Sequence, residues 1–280
     1  MNTMDKNDYT DPRCPFDFSQ YTGGPKETVP VRRILEKEDS FLAVNDYEGA
    51  RRHLAYWIAE AKTLKDVRGA FSLLNELMGV LRKSGKKEEA IRTAGEALAL
   101  TADPDITGDP VGTATCLINA GTVLTYAERP EDAVPLFEMA CGIYEKVLPE
   151  KDARLGGLYN NMALSKTDTG DYNGALQDFR KALSVMGSQD QGAKEQAVTY
   201  LNMADLYELR DGAEGAEAID RCVSQAEECL ESKKLLHDAD YAFVLEKCAP
   251  VFDYYGHFYY AEVCRTRAAA IRAAYGKKDE

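Results

Sequence analysis

Residues 113–186 contain one pattern twice, and this duplication limits the possible folds more than any other feature of the sequence. Each copy has a large residue, an apolar and a small residue three and four positions later, a polar turn, and then Ala-x-x-x-Phe. The first copy runs from Leu117 to Phe137 and the second from Tyr159 to Phe179. Apolar residues that recur three and four positions apart share one face of an α-helix. Each copy therefore predicts two helices that pack together as a hairpin.

Alanines with similar spacing extend this pattern along the chain. Six of them, 40, 43, 42, 41 and 45 residues apart, are predicted to open six second helices: Ala50, Ala90, Ala133, Ala175, Ala216 and Ala261. A second helix that crosses its partner closely needs a small residue there. Four more alanines, seven positions further on, are expected to keep the stack tight: Ala97, Ala140, Ala182 and Ala268. The first hairpin differs, because Glu38 replaces the small residue of the first helix and predicts an end repeat with a solvent-facing side.

The predicted solenoid covers most of the chain. Residues 1–30 are rich in proline and contain a Gly-Gly pair, which predicts an irregular lead-in. The solenoid is predicted at 31–276, and a charged tail follows at 277–280. The six repeats are predicted at approximately 31–66, 67–102, 112–149, 152–187, 194–231 and 239–275.

The charge of the chain narrows its possible partners. The sequence has 34 Lys and Arg against 47 Asp and Glu, and its net charge is −13. Nucleic acids and anionic membranes repel such a protein, so we expect neither as a partner. A charged partner is expected to be basic where it meets the acidic surface.

The N-terminal sequence and the cysteines indicate the compartment. No apolar core of a signal peptide follows Met1, and no run of 18 apolar residues occurs in the sequence. The seven cysteines mostly fall at apolar helical positions without Cys-x-x-Cys spacing, as expected for small buried hydrophobic residues in a reducing environment. We therefore expect a soluble, cytoplasmic protein.

The repeated motifs resemble a known family. Tyr159-x2-Met162-Ala163 followed by Ala175-x3-Phe179 is similar to the signature of tetratricopeptide repeats. The period near 42 residues looks like the kinesin-light-chain type of this repeat, which also occurs widely in bacterial proteins. The resemblance covers roughly residues 32–275 and implies a right-handed α-solenoid that acts as a binding scaffold.

Asparagines recur at one position of the predicted first helices. Two positions before the small residue stand Glu76, Asn119, Asn161, Asn202 and Lys247. In a solenoid these residues would form a ladder on the concave side, where asparagines can offer a donor and an acceptor to the backbone of an extended peptide. The resemblance implies the same role, since the position is similar to a groove asparagine of kinesin-light-chain repeats. Hydrogen bonds to neighbouring helices are the alternative interpretation.

Other candidate groove residues change from basic to acidic along the chain. They are Asn75, Arg82 and Lys83 in the second repeat, Tyr126 in the third, Asp168 in the fourth, Asp205 and Glu208 in the fifth, and Glu246 and Asp253 in the sixth. The hypothesis is that a bound segment has its acidic end near Arg82 and its basic end near Asp205; ordinary solvated helix faces are the alternative. The resemblance does not extend to chaperone-tail clamps, because their groove cations are absent from this sequence.

An aromatic cluster, residues 252–260, contains six aromatic side chains. It is expected either to pack the C-terminal hairpin and seal the end of the solenoid or to form a binding patch.

No set of residues predicts catalysis, a metal site or a cofactor site. The three histidines, His53, His237 and His257, are predicted at the surface or in turns. The sequence therefore favours a non-enzymatic scaffold that binds a protein or an extended peptide in its concave groove. One alternative is a signalling regulator that senses a peptide and changes its curvature, and a weaker one is an enzyme of unknown class.

Overall fold

The computed structural model describes residues 27–276, and all regular structure within them is helical. The predicted lead-in therefore lies outside the described residues except for 27–30, and the predicted tail at 277–280 lies outside them as well. None of the helices between residues 27 and 276 is both long and apolar enough to cross a membrane. The described residues divide into two compact units, which separate between Val147 and Leu148.

Unit 1 contains three antiparallel helix hairpins, α1/α2, α3/α4 and α6/α7. Its helices are α1 (Val31–Leu42), α2 (Tyr47–Thr63), α3 (Val67–Lys83), α4 (Lys87–Leu100), the short α5 (Pro104–Thr107), α6 (Pro110–Tyr126) and α7 (Pro130–Val147). Before α1, residues 27–30 have no regular secondary structure; Val29 is buried and its N–H donates to the Asp66 carboxylate at 2.9 Å.

Unit 2 also contains three hairpins, α8/α9, α10/α11 and α12/α13. Its helices are α8 (Ala153–Asp168), α9 (Tyr172–Met186), α10 (Ala193–Asp211), a 3₁₀ turn (Gly212–Gly215), α11 (Ala216–Leu230), α12 (Ala239–Tyr254) and α13 (Phe258–Gly276). The prediction of an all-α chain of six helix hairpins is therefore confirmed within residues 27–276.

An Asp-x-x-Gly motif, which was not among the predicted features, begins four of the helices in residues 27–276. In each case the aspartate is the N-cap, and its carboxylate accepts from the glycine N–H at 2.8–3.0 Å. The pairs are Asp46–Gly49 at α2, Asp66–Gly69 at α3, Asp109–Gly112 at α6 and Asp171–Gly174 at α9. A Cβ atom on any of these glycines would overlap the capping carboxylate. The motif therefore fixes helix starts that hydrophobic periodicity places only approximately.

The alanines that were predicted to lie at helix crossings are buried, with one exception. Five of the six predicted second-helix alanines are fully buried, and so are the four that follow seven positions later. Ala216 is the first residue of α11, as predicted, but its side chain is exposed, so its predicted place at the helix crossing was wrong. The 3₁₀ turn adds residues between α10 and α11, and Ile219 fills the position predicted for the alanine. Ile219 lies four positions before Val223 and seven before Ala226, which are both fully buried.

Two polar residues are buried where the sequence predicted exposure. Glu38 is only 4% exposed, so the expectation that this side of α1 faces solvent was wrong; α1 packs against both α2 and α3. His53 is also buried, and its Nε2 lies 3.0 Å from the carbonyl oxygen of Ile34. The surface position predicted for His53 was therefore also wrong, and burial lowers the pKa of this side chain. His237 is exposed, and His257 precedes α13 at a turn, as expected.

The six cysteines in residues 27–276 all lie on helices and none is exposed, as predicted for small apolar side chains. Four of them are buried: Cys116, Cys222, Cys248 and Cys264. Burial raises the pKa of the Cys116 and Cys248 thiols to about 12, so these side chains stay protonated and act as small apolar residues.

Candidate binding surface

In unit 1, two candidate asparagines contact each other across neighbouring first helices. The Asn119 amide of α6 donates to the Asn75 side-chain oxygen of α3 at 3.1 Å, and the Asn75 amide donates to the Phe71 carbonyl oxygen at 2.9 Å. Both asparagines are half-buried. Within residues 27–276, the Asn119 side-chain oxygen has no partner, and neither does its second N–H. The asparagine therefore connects two helices and still keeps one donor and one acceptor.

Unit 2 contains a similar pair, displaced by one residue from the predicted ladder. The Asn202 amide of α10 donates to the side-chain oxygen of Asn160 in α8 at 3.2 Å, and the Thr199 hydroxyl donates to the same oxygen at 3.1 Å. Asn161, the predicted ladder residue, is the next residue of α8 and is half-buried. The Asn160-Asn161 doublet is the sequence signal that could have indicated Asn160.

The predicted basic end in unit 1 is of mixed charge. Arg82 is half-buried and Lys83 exposed in the last turn of α3. Lys83 acts electrostatically on two acids, Glu38 and Glu76. The pKa of Glu38 is raised to about 7, first by burial and then by the negative charges of Glu76 and Asp39, while Lys83 lowers it. A cationic side chain thus lies beside a partly neutral carboxyl.

Three other candidates lie at the ends or on the open faces of helices. Tyr126, the last residue of α6, is exposed, and its ring centroid is 5.8 Å from the Lys87 ammonium nitrogen. Asp168, the last residue of α8, is exposed. Lys247 is exposed on α12, with its ammonium nitrogen 5.5 Å from the Phe243 ring centroid.

The candidate acids in the fifth hairpin are held by tyrosines of the sixth. The Tyr255 hydroxyl of α12 donates to Asp205 at 2.7 Å and to Glu208 at 3.3 Å, both on α10. The Tyr254 hydroxyl donates to the other oxygen of Glu208 at 2.9 Å. The hydrogen bond to Glu208 raises the pKa of Tyr254. Burial raises the pKa of Tyr255, and the carboxylates of Asp205 and Glu208 raise it further. Partial burial raises the pKa of Asp205, and the negative charge of Glu208 adds to this shift.

The aromatic cluster at residues 252–260 divides into a packed part and an open part. Phe252 is fully buried and packs edge-to-face with Tyr260 at a centroid distance of 4.9 Å. Tyr254, Phe258 and Tyr259 are exposed. The cluster therefore contributes to the core of the last hairpin and also presents aromatic surface.

An open cleft of about 390 Å³ lies between α10 and α12 beside the two acids. Its lining consists of Asp205, Glu208, Leu209, Pro250, Val251 and Tyr254. The cleft is open to solvent, so a side chain that enters it can contact both the acids and the apolar lining. Across residues 27–276, no three His, Cys, Asp or Glu side chains are arranged to hold a metal ion.

The family model of the tetratricopeptide repeat matches residues 113–152 and 156–186. These two segments are tetratricopeptide repeats of the kinesin-light-chain type, so the resemblance in the sequence is confirmed. They correspond to the α6/α7 and α8/α9 hairpins, in which Ala133 and Ala175 are fully buried.

Solved structures extend the likeness over most of the chain. BtubC (BKLC) from P. vanneervenii is 21% identical with a TM-score of 0.55, covering 82% of this chain and 92% of that one. The apo form of RapI is 14% identical with a TM-score of 0.59, covering 88% and 84%. A Rap protein complexed with competence and sporulation factor is 14% identical with a TM-score of 0.56; the match covers 88% of this chain and 65% of that one. No curated protein matches the sequence significantly. At these identities the likeness shows a shared fold.

Proposed function

We propose that this protein is a non-enzymatic scaffold that holds an extended segment of a partner protein against the first helices of its hairpins. Tetratricopeptide repeats generally mediate protein binding and are usually non-enzymatic. The observation that carries the proposal is the spare hydrogen-bonding capacity of the asparagines that connect neighbouring first helices.

The asparagine pairs suit recognition of a peptide backbone. Each bond between neighbouring asparagines fixes the orientation of an amide before a partner arrives, which lowers the entropy cost of binding. Asn119 and Asn202 each donate one N–H to a neighbouring helix and keep further polar atoms for a ligand. Bonds to a backbone give affinity without requiring a particular sequence, so specificity must come from other side chains.

Charge supplies the second element of the proposal. The chain has a net charge of −13, and the acids of the fifth hairpin, Asp205 and Glu208, lie at the cleft between α10 and α12. We propose that the partner segment is basic where it meets these two residues. Opposite charges across an interface raise the association rate and exclude partners of the wrong sign.

The experiment is capture of partners from native cells, followed by affinity measurement with the purified partner. The test variant carries Asn119→Ala, Asn161→Ala and Asn202→Ala, and the control carries Asn173→Ala on the exposed face of α9. Loss of three hydrogen-bonding groups should weaken binding by at least tenfold, at ~0.5–1.5 kcal/mol for each bond. Equal affinity in a triple variant with wild-type helix content would refute binding on the first helices.

A peptide-sensing regulator is the second candidate function. A Rap protein with this fold is known in complex with a factor, although at 14% identity that likeness concerns the fold alone. A regulator of this kind should change its radius of gyration when its peptide binds, whereas a passive scaffold should not. Small-angle scattering with and without the captured partner segment separates the two.

A further inference from the structure

We propose that the cleft between α10 and α12 receives one arginine side chain of the partner, with an apolar partner residue beside it. This inference rests on the proposed function and specifies the chemistry of the partner at the acidic residues. It follows from a combination of charge, apolar lining and aromatic surface in one place.

The two carboxylates of the cleft are held by neutral donors. The Tyr254 hydroxyl donates to Glu208, and the Tyr255 hydroxyl is shared between Asp205 and Glu208, at O···O distances of 2.7–3.3 Å. Across residues 27–276 no Lys, Arg or His nitrogen lies within 4.0 Å of either carboxylate. The tyrosines therefore fix the positions of two negative charges without neutralising them, and a cation from outside would complete the site.

Neighbouring acids of α12 show the contrast. Glu246 pairs with Arg272 at 3.1 Å, and Asp253 pairs with Arg265 at 2.6 Å, so α13 supplies cations to both. The side of α12 that faces α10 receives none of these arginines. Charge complementarity therefore favours a basic ligand at Asp205 and Glu208 over one at the other acids of the same helix.

The lining of the cleft explains the choice of arginine. Leu209 and Tyr254 are 63% and 68% exposed, and Pro250 and Val251 complete an apolar wall. A long basic side chain buries its aliphatic stem on such a wall and keeps its charged head at the polar rim. A guanidinium can also contact a carboxylate through two N–H groups and stack on a tyrosine ring, which an ammonium group does less well.

The test uses two short peptides and the full-length protein. Acetyl-Ala-Arg-Leu-Ala-amide is the probe, and the same peptide with citrulline in place of arginine is the matched control, since citrulline has nearly the same shape without the charge. Binding is followed by NMR titration. The arginine peptide should bind at least tenfold more tightly than the citrulline peptide, because hydrogen bonds between charged groups are stronger than neutral ones. Equal binding of the two peptides, or binding of neither, would overturn the inference.

Two variants locate the binding. Glu208→Gln keeps the shape of the side chain and removes its charge, and it should weaken the arginine peptide by about tenfold. Glu228→Gln makes the same change on the exposed face of the second helix α11 and should leave the affinity within about twofold. Equal losses in both variants would indicate a general effect of net charge and would contradict a specific site.

The same proteins separate this inference from the proposed function. If the triple asparagine variant loses the native partner while Glu208→Gln retains it fully, the arginine site is wrong and the scaffold function stands. If the arginine peptide binds as expected but the asparagine variant keeps its partner, the site stands and binding on the first helices is wrong.

Discussion

The two units fill the same position of the first helix in different ways. Twelve residues before the buried second-helix alanine, unit 1 has Glu38, Met78 and Gly121, which share neither size nor charge. At the same position, the first helices of unit 2 (α8, α10 and α12) have Ala163, Ala204 and Ala249. All six residues are buried. The position therefore requires burial against neighbouring helices, and the residue that suits it depends on what those helices present.

The second helices of unit 1 show how this variation is accommodated. Gly121 of α6 faces Phe137 of α7, and a Cβ atom on the glycine would lie 2.8 Å from the fully buried phenylalanine ring. In the α3/α4 hairpin the sizes are reversed, since Met78 and the small Ala94 occupy the corresponding positions. Close packing requires such exchanges, because a core has little free volume. In unit 2, Ala163 and Phe179 occupy the same two positions and are both fully buried.

Gly121→Leu should give the largest loss of stability. The leucine would overlap Phe137, which is enclosed and cannot move aside, and overpacking of this kind costs about 3 kcal/mol of unfolding free energy. Fluorescence of the single tryptophan, Trp57, which is buried in α2, reports unfolding of unit 1 in urea. A loss below about 0.5 kcal/mol would show that α6 and α7 separate easily, and would contradict the packing argument.

Glu38→Gln should stabilise unit 1 above neutral pH. The folded pKa of about 7 exceeds the ordinary value of 4.5, so between these values the folded state holds a proton that the unfolded state has released. Wild-type stability therefore falls as the pH rises from about 4.5 to 7. The glutamine variant lacks this loss and should be about 1–2 kcal/mol more stable at pH 8, with little difference at pH 4. Trp57 fluorescence in urea at several pH values measures it, and Glu36→Gln, on the exposed face of α1, is the control.

Gly112→Ala should cost about 1 kcal/mol, because the new methyl group displaces the Asp109 carboxylate and breaks the N-cap of α6. Urea unfolding followed by Trp57 fluorescence measures the loss. Asp109→Ala should cost a similar amount, and in the Asp109→Ala background Gly112→Ala should no longer destabilise. Additive losses in the double variant would contradict a shared cap.

Gly142→Ala should have the smallest effect, with the opposite sign. This glycine lies inside α7 with open space around it, so alanine adds helix propensity without a clash. The expected gain is about 0.5–1 kcal/mol in the same urea experiment. The comparison with Gly121→Leu distinguishes a glycine that the packing of α6 against α7 requires from a glycine of α7 that has open space around it.

Periodicity predicted what depends on residues close together in the sequence. The helix hairpins, the buried alanines and the apolar cysteines all followed from spacing within one repeat. Ala216 opens α11 but does not lie at the helix crossing, because the buried face of α11 begins at Ile219 after the 3₁₀ turn. The spacing of small residues does not show this shift. The predicted exposure of Glu38 failed because its burial depends on α2 and α3, and sequence pattern does not show how closely they approach.

Predictions about the binding residues were limited in the same way. The sequence indicated Asp205 and Glu208 as candidate acids, and it showed Tyr254 and Tyr255 as part of an aromatic cluster. Their hydrogen bonds join residues 46–50 positions apart, and no local rule connects them. The Asp-x-x-Gly caps each span four consecutive residues, so the sequence alone is enough to predict them.

The Asp-x-x-Gly caps also bear on how the chain acquires its structure during synthesis. Each cap is complete within four residues, so it can form as soon as those residues leave the ribosome, before the next hairpin exists. The start of a helix is otherwise its costliest part to form. A nascent chain with such caps can mark the first turns of α2, α3, α6 and α9 in order of their appearance, which favours pairing of each helix with its neighbour in sequence over pairing with a similar helix from another repeat.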